Sequence, residues 1–273
     1  MRIALGVEYN GRAFHGWQRQ AECATVQAAF EGALSLVANH RVVLHNAGRT
    51  DTGVHGLNMV AHFDTESERP MKAWVLGVNS YISQHHDGQC SVRWAKPVSD
   101  DFHARFSALS RRYRYQIYNR RTRSAIHRGW STHCFQPLNA ERMNAAAQAL
   151  LGVHNFDSYR TVHCQAHSPV REILDIVVKR EDDRVIMEVE ANGFLHHMVR
   201  NIAGVLMTIG SGEKPVEWAA EVLAVCDRTK GGMTAPPDGL YFLDVRYPTE
   251  FEIPDSQMAL QAEIEFGKTS PLL

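Results

Sequence analysis

The chain has no apolar run approaching the roughly 20 residues that a membrane-spanning helix requires. It also lacks a leader pattern at its amino terminus, where Glu8 already interrupts the first strand-like stretch, so the expected location is the cytoplasm. Cysteine is sparse: Cys23, Cys90, Cys134, Cys164 and Cys226 are odd in number, far apart, and never form a Cys-x-x-Cys pair. That usage argues against a disulfide framework and for reduced structural thiols. One metal-like cluster remains, His163-Cys164 with His167 and the more distant His85-His86, but its spacing matches no common zinc pattern and no metal is expected.

Excess charge is also missing, since 29 basic residues face 30 acidic ones in the 273-residue chain. The balance is uneven along the sequence. From Phe102 to Arg128 there is no acidic residue, yet there are eight arginines: 105, 111, 112, 114, 120, 121, 123 and 128. Beyond Pro248 the chain turns acidic, with Glu250, Glu252, Asp255, Glu263 and Glu265 against Lys268. A near-neutral total can therefore conceal a positive face suited to a polyanion.

With hydrophobic residues at 44% and charged ones at 22%, the composition is that of an ordinary globular enzyme of one large or two smaller domains. Residues 2–9 alternate as a strand, and Val26, Ala29, Phe30, Ala33, Leu34 and Val37 recur at helical spacing after Thr25. Val42–Asn46 and Met59–Phe63 read as strands, a helix opens at Pro70, and a strand near Ser91–Ala95 completes β-α-β-β-α-β. The second half repeats the order: a strand over Phe106–Asn119, a helix capped by Asn139, strands near Val170–Lys179 and Arg184–Ala191, a helix through Val199–Ile209 extended over Pro215–Cys226, and a strand at Leu240–Arg246. Two tandem ferredoxin-like units in an α+β protein are predicted, over residues 1–101 and 102–248, with an acidic extension at 249–273.

Three stretches carry chemistry. Gly48-Arg49-Thr50-Asp51-Thr52-Gly53-Val54-His55 sets one carboxylate on a glycine-bounded turn between two strands, where a plain turn role for Asp51 competes with a catalytic one. In Arg111–Tyr118 the period of two puts Tyr113, Tyr115 and Ile117 on one face and Arg112, Arg114 and Gln116 on the other. That pattern suits either a solvated arginine face over an aromatic core or RNA, whose bases stack on rings and whose phosphates meet guanidiniums. Arg200, beside Val199 and Ile202, needs a carboxylate or phosphate partner unless it turns to solvent with His196 and Asn201, and Asp51 is the candidate partner.

In order along the chain, Gly11, Phe14-His15-Gly16-Trp17-Gln18, the Gly48–His55 turn, Phe102-His103-Ala104-Arg105-Phe106-Ser107-Ala108, Arg112-Tyr113-Arg114-Tyr115 and His197-Met198-Val199-Arg200-Asn201 resemble successive signatures of the TruA family of tRNA pseudouridine synthases, from about residue 3 to 247. The resemblance implies a pseudouridine-synthase fold with a central cleft and conversion of uridine to pseudouridine in the anticodon stem-loop of tRNA, at positions 38, 39 and 40. It implies a homodimer that binds tRNA, with no cofactor, metal or membrane. Asp51 matches the nucleophile, Tyr113 the ring that stacks on the target base, Arg200 the basic partner of the aspartate and Leu240 a residue lining the pocket. Arg49 matches an arginine that fills the space left by the flipped nucleotide, and Arg112, Arg114 and His55 are further candidates for substrate contact. The chain departs from the pattern at Asn10, Thr52 and Met59, and Ser80–Cys90, read as a lengthened surface loop, replaces a shorter turn. An RNA-binding protein without chemistry predicts a missing nucleophile, and a histidine-based metallohydrolase predicts loss of activity to chelators.

Overall fold

The computed structural model describes residues 1–162 and 164–255, and shows an α+β protein whose sheet is mixed but mainly antiparallel. The chain forms two compact units, one from Met1–Leu109 together with the segment from Phe242 on, the other from Ser110–Tyr241. No helix among the described residues is long and apolar enough to cross a membrane.

In the first unit, β1 (Arg2–Tyr9) pairs antiparallel with both β3 (His55–Asp64) and β4 (Cys90–Val98), and the short β2 (His45–Asn46) lies on β3. Helix α1 (Val26–Ala38) starts at Thr25, whose hydroxyl accepts the Ala28 N–H at 3.4 Å, and ends on Asn39 in the left-handed region. Helix α2 (Met71–His85) packs on α1 and on β4. Ile3, Leu5, Phe30, Leu34, Phe63 and Trp74 are fully buried between these layers, each worth about 1.5–3 kcal/mol on transfer from water.

Two expectations are corrected here. Val42–Leu44 does not join a ladder, because the Val42 N–H donates to Ser35 Oγ (2.9 Å) and the Leu44 N–H to Glu31 Oε1 (3.0 Å), so side chains of α1 take the donors a neighbouring strand would have used. The stretch from Ser80 is not a lengthened loop. Helix α2 continues to His85, whose ring stacks on Tyr81 at 4.0 Å, and the turn is confined to the residues before Cys90.

The second unit holds β5 (Ser110–Asn119), β6 (Thr132–Cys134), α3 (Ala140–Ala147), β7 (Gly152–Asn155), β8 (Val170–Glu181), β9 (Arg184–Ala191), α4 (Met198–Gly210) and α5 (Trp218–Val225). Its antiparallel ladder runs β5-β9-β8-β7, with β6 parallel to β5. Strand β10 (Leu240–Arg246) follows α5 and carries the chain back into the first unit. Tyr115, Ile117, Val185, Val189, Ile202, Leu206 and Ile209 form the buried interior. The strand expected from Phe106 begins only at Ser110, because His103 Nδ1 accepts the N–H groups of Arg105 (3.1 Å) and Phe106 (3.3 Å), and Ser107 closes the turn on the His103 carbonyl at 2.9 Å. Short β6 and β7 carry too few alternating residues to be legible in the sequence.

Candidate active site

The turn bearing Asp51 is pinned from both sides. Thr50 presents its carbonyl to the Trp17 N–H at 3.0 Å and its hydroxyl to the Tyr9 phenol at 2.9 Å, while the Val54 N–H closes the turn on the Asp51 carbonyl at 3.1 Å. Asn46 Nδ2 donates to the Gly48 carbonyl at 2.6 Å. A Cβ at Gly11 would collide with the Val54 carbonyl, so the turn after β1 lies directly against the Asp51 loop only because residue 11 has no side chain. The buried Trp17, held edge-on to Tyr9 at 5.6 Å and stacked on Phe30 at 6.5 Å, anchors this second wall. The Phe14–Gln18 and Gly48–His55 motifs are therefore two halves of one rigid support, a relation that spacing alone could not reveal.

Within that support Asp51 is half-buried and Arg49 is exposed. His55 is buried at the start of β3, where its Nδ1 accepts the Gly11 N–H at 3.3 Å, which puts the ring proton on Nε2 when the imidazole is neutral. Asp51, Arg49 and His55 thus belong to the first unit.

Tyr113, Arg112, Arg114, Arg200 and Leu240 belong to the second. The alternation expected for β5 holds: Tyr113, Tyr115 and Ile117 are buried, and Arg112, Arg114 and Gln116 are half-buried on the other face. Tyr113 meets Phe194 edge to face at 5.0 Å. The arginine face has an unanticipated floor. Glu188 on β9 receives Arg112 Nη2 on Oε2 at 2.6 Å and Arg114 Nη2 on Oε1 at 2.6 Å, so one carboxylate spaces two guanidiniums. Burial pushes the Glu188 carboxyl up, but the Arg114 hydrogen bond and the charges of Arg114 and Arg112 outweigh it and hold it below the ordinary carboxylate value. The signal was present in the sequence: Glu188-Val189-Glu190 mirrors Arg112-Tyr113-Arg114, and in the β5–β9 register Arg112 lies opposite Glu190 and Arg114 opposite Glu188. Glu190 is buried and accepts the Ser110 hydroxyl at 2.5 Å.

Arg200 projects from the first turn of α4, directly after His197, a non-glycine residue at φ +63°. Its Nε donates to the Ala235 carbonyl at 2.8 Å, and the Ala235 N–H returns a bond to the Arg200 carbonyl at 3.1 Å. Leu240 is buried where β10 begins. Of the cluster weighed for a metal, His163 lies outside the described residues.

A family model described as tRNA pseudouridine synthase matches residues 146–248. The tRNA pseudouridine synthase A of Pseudoalteromonas atlantica is 53% identical over 258 residues, covering 94% of this chain and 97% of that protein. Its counterpart in Enterobacter sp. strain 638 is 51% identical over 257 residues, with 94% of each chain covered. The Coxiella burnetii protein of the same name is 53% identical over 256 residues, covering 93% of this chain and 95% of its own. Among solved structures, the Cbf5-Nop10-Gar1 complex aligns at a TM-score of 0.33 with 10% identity, over 88% of this chain and 49% of that one, which is too distant to bear on the site. Half or more of its residues match those relatives along nearly the whole length, and the chain accordingly belongs to the tRNA pseudouridine synthase A (TruA) family of RNA-modifying isomerases.

Proposed function

We propose that this enzyme isomerises uridine to pseudouridine at positions 38, 39 and 40 in the anticodon stem-loop of tRNA, with Asp51 as nucleophile. The observation that carries the reading is the pinned turn: a carboxylate-bearing loop is held by Trp17, Tyr9 and the close approach of Gly11, as a preorganised reactive group requires. The reaction breaks the N1–C1′ bond, turns the uracil while it stays bound, joins C5 to C1′, releases the C5 proton and returns a proton to N1. A nucleotide within a stem must first leave the stack, at a cost of a few kcal/mol. Tyr113 offers its ring to the everted base and is the candidate proton-transfer partner, Arg49 fills the vacated stack, Leu240 lines the pocket, and Arg200 is the counter-charge of the aspartate. Addition of Asp51 at C6, attack at C1′ and a glycal route all call on its carboxylate. Arg112 and Arg114 serve the RNA backbone, and His55 supports the loop that substrate approaches.

The same reading takes the fold as two tandem ferredoxin-like β-α-β-β-α-β subdomains, and the working form as a cytoplasmic homodimer without cofactor or metal. Support comes from the split β-α-β-β-α-β order of the first unit and from the ordered set of family motifs.

The test is tritium release from C5-labelled uridine in unmodified tRNA transcripts. Asp51→Asn and Asp51→Ala should abolish release while tRNA binding persists. Turnover by Asp51→Ala at the wild-type rate would remove the nucleophile.

A further inference from the structure

Arg200 is not simply a cation on a helix, because one edge of its guanidinium is committed to a strap of chain, Gly231–Gly239, that crosses α4. The strap lies close: a Cβ at Gly204 would collide with the Met233 carbonyl, so a side chain at that helix position would lift the strap away. Asn201, the residue next to Arg200, fastens it again by accepting the Thr234 hydroxyl at 2.6 Å. Ala235 precedes Pro236 and Pro237, whose rings hold φ and restrict the residue before them, so the carbonyl offered to Arg200 Nε is presented by stiff backbone.

What fixes the far side of the strap is the phenol of Tyr115. It is fully buried, and its hydroxyl lies 2.8 Å from the Pro236 carbonyl and 2.6 Å from Thr132 Oγ1. A carbonyl can only accept, so the single phenolic proton goes to Pro236 and the Thr132 hydroxyl donates to Tyr115. Burial raises the Tyr115 phenol well above its ordinary value, which keeps that proton in place at working pH.

We infer that Tyr115, with Thr132 behind it, is a positioning residue for the isomerisation: it locks the Ala235–Pro236 backbone and thereby sets the orientation of the Arg200 guanidinium. The inference rests on the role of Arg200 proposed above. The Tyr115 hydroxyl is engaged by Thr132 and the Pro236 carbonyl, which sets its role apart from the base-stacking one proposed for Tyr113, two residues earlier on the same face of β5.

The experiment compares kcat and KM for tRNA in Tyr115→Phe, Thr132→Val, Arg200→Lys and Tyr115→Phe/Arg200→Lys, at a temperature where circular dichroism shows each variant fully folded. Loss of the clamp should lower kcat about 10- to 100-fold, the range expected when a reactive group drifts by about 1 Å, with KM within about twofold. Thr132→Val should lower kcat in the same sense. The double variant should be no slower than Arg200→Lys alone, because both act through one guanidinium. Wild-type kcat in folded Tyr115→Phe, or losses that multiply in full in the double variant, would overturn the positioning role. Wild-type kcat in Arg200→Lys would instead overturn the role of Arg200, and this inference with it.

Discussion

His62 offers a direct measure of how tightly the first unit is built. The imidazole lies on β3 between His45 (5.1 Å between rings) and His103 (4.6 Å), and its Nδ1 accepts the Ala104 N–H at 3.1 Å. Burial first, then the neighbouring histidines and Arg2, lower its pKa from 6.5 to about 3. A group whose folded value is depressed contributes stability that is complete above its unfolded value and drains as pH falls toward the folded one, here between about pH 6.5 and pH 3. From these two values, moving from pH 7 to pH 5 should cost about 2 kcal/mol, or about 4–8 °C in melting temperature for a protein of this size. The carboxylates held low by partners, Asp64 and Glu188 among them, titrate at lower pH and leave this window largely to histidine. Urea unfolding followed by tryptophan fluorescence includes this unit, since Trp17 and Trp74 are both buried in it. His62→Asn keeps an acceptor for Ala104 but has no proton to gain, so the variant should lose about 2 kcal/mol less than wild type between pH 7 and pH 5. Equal losses in the two proteins would refute the reasoning.

Two further outcomes test the support of the site. Glu188→Gln removes the charge shared by Arg112 and Arg114; stability should fall by about 1–2 kcal/mol, discounted for the partial exposure of both arginines, and the salt slope of tRNA binding should steepen by about one unit as positive charge is uncovered. An unchanged slope in filter binding across salt would show that these arginines do not meet RNA. Gly11→Ala forces the turn after β1 away from Val54, and kcat should drop at least tenfold with tRNA affinity retained; a variant as active as wild type would show that the Asp51 loop does not depend on that wall.

Local pattern was enough for the elements themselves. The helical spacing from Val26 to Val37 after Thr25, the Asn139 cap, and the alternation through Tyr113, Tyr115 and Ile117 are set by neighbours within a turn or two, and each appears as expected. The glycine-bounded carboxylate at Asp51 and the acid-free run from Phe102 to Arg128 were likewise legible, because composition states which chemistry is available. Tertiary structure decided where that chemistry is directed. Val42–Leu44 had every mark of a strand, yet side chains of α1 took its N–H groups. Arg112 and Arg114 read as a solvated or RNA-facing arginine face until β9 brought Glu188 beneath them, and Tyr115 read as core until Pro236, 121 residues away in sequence, came within reach of its hydroxyl. The physical reason is the same in each case: propensity and periodicity act over a few residues, whereas hydrogen-bond partners, desolvation and the spacing of charges depend on which distant segments the folded chain packs together.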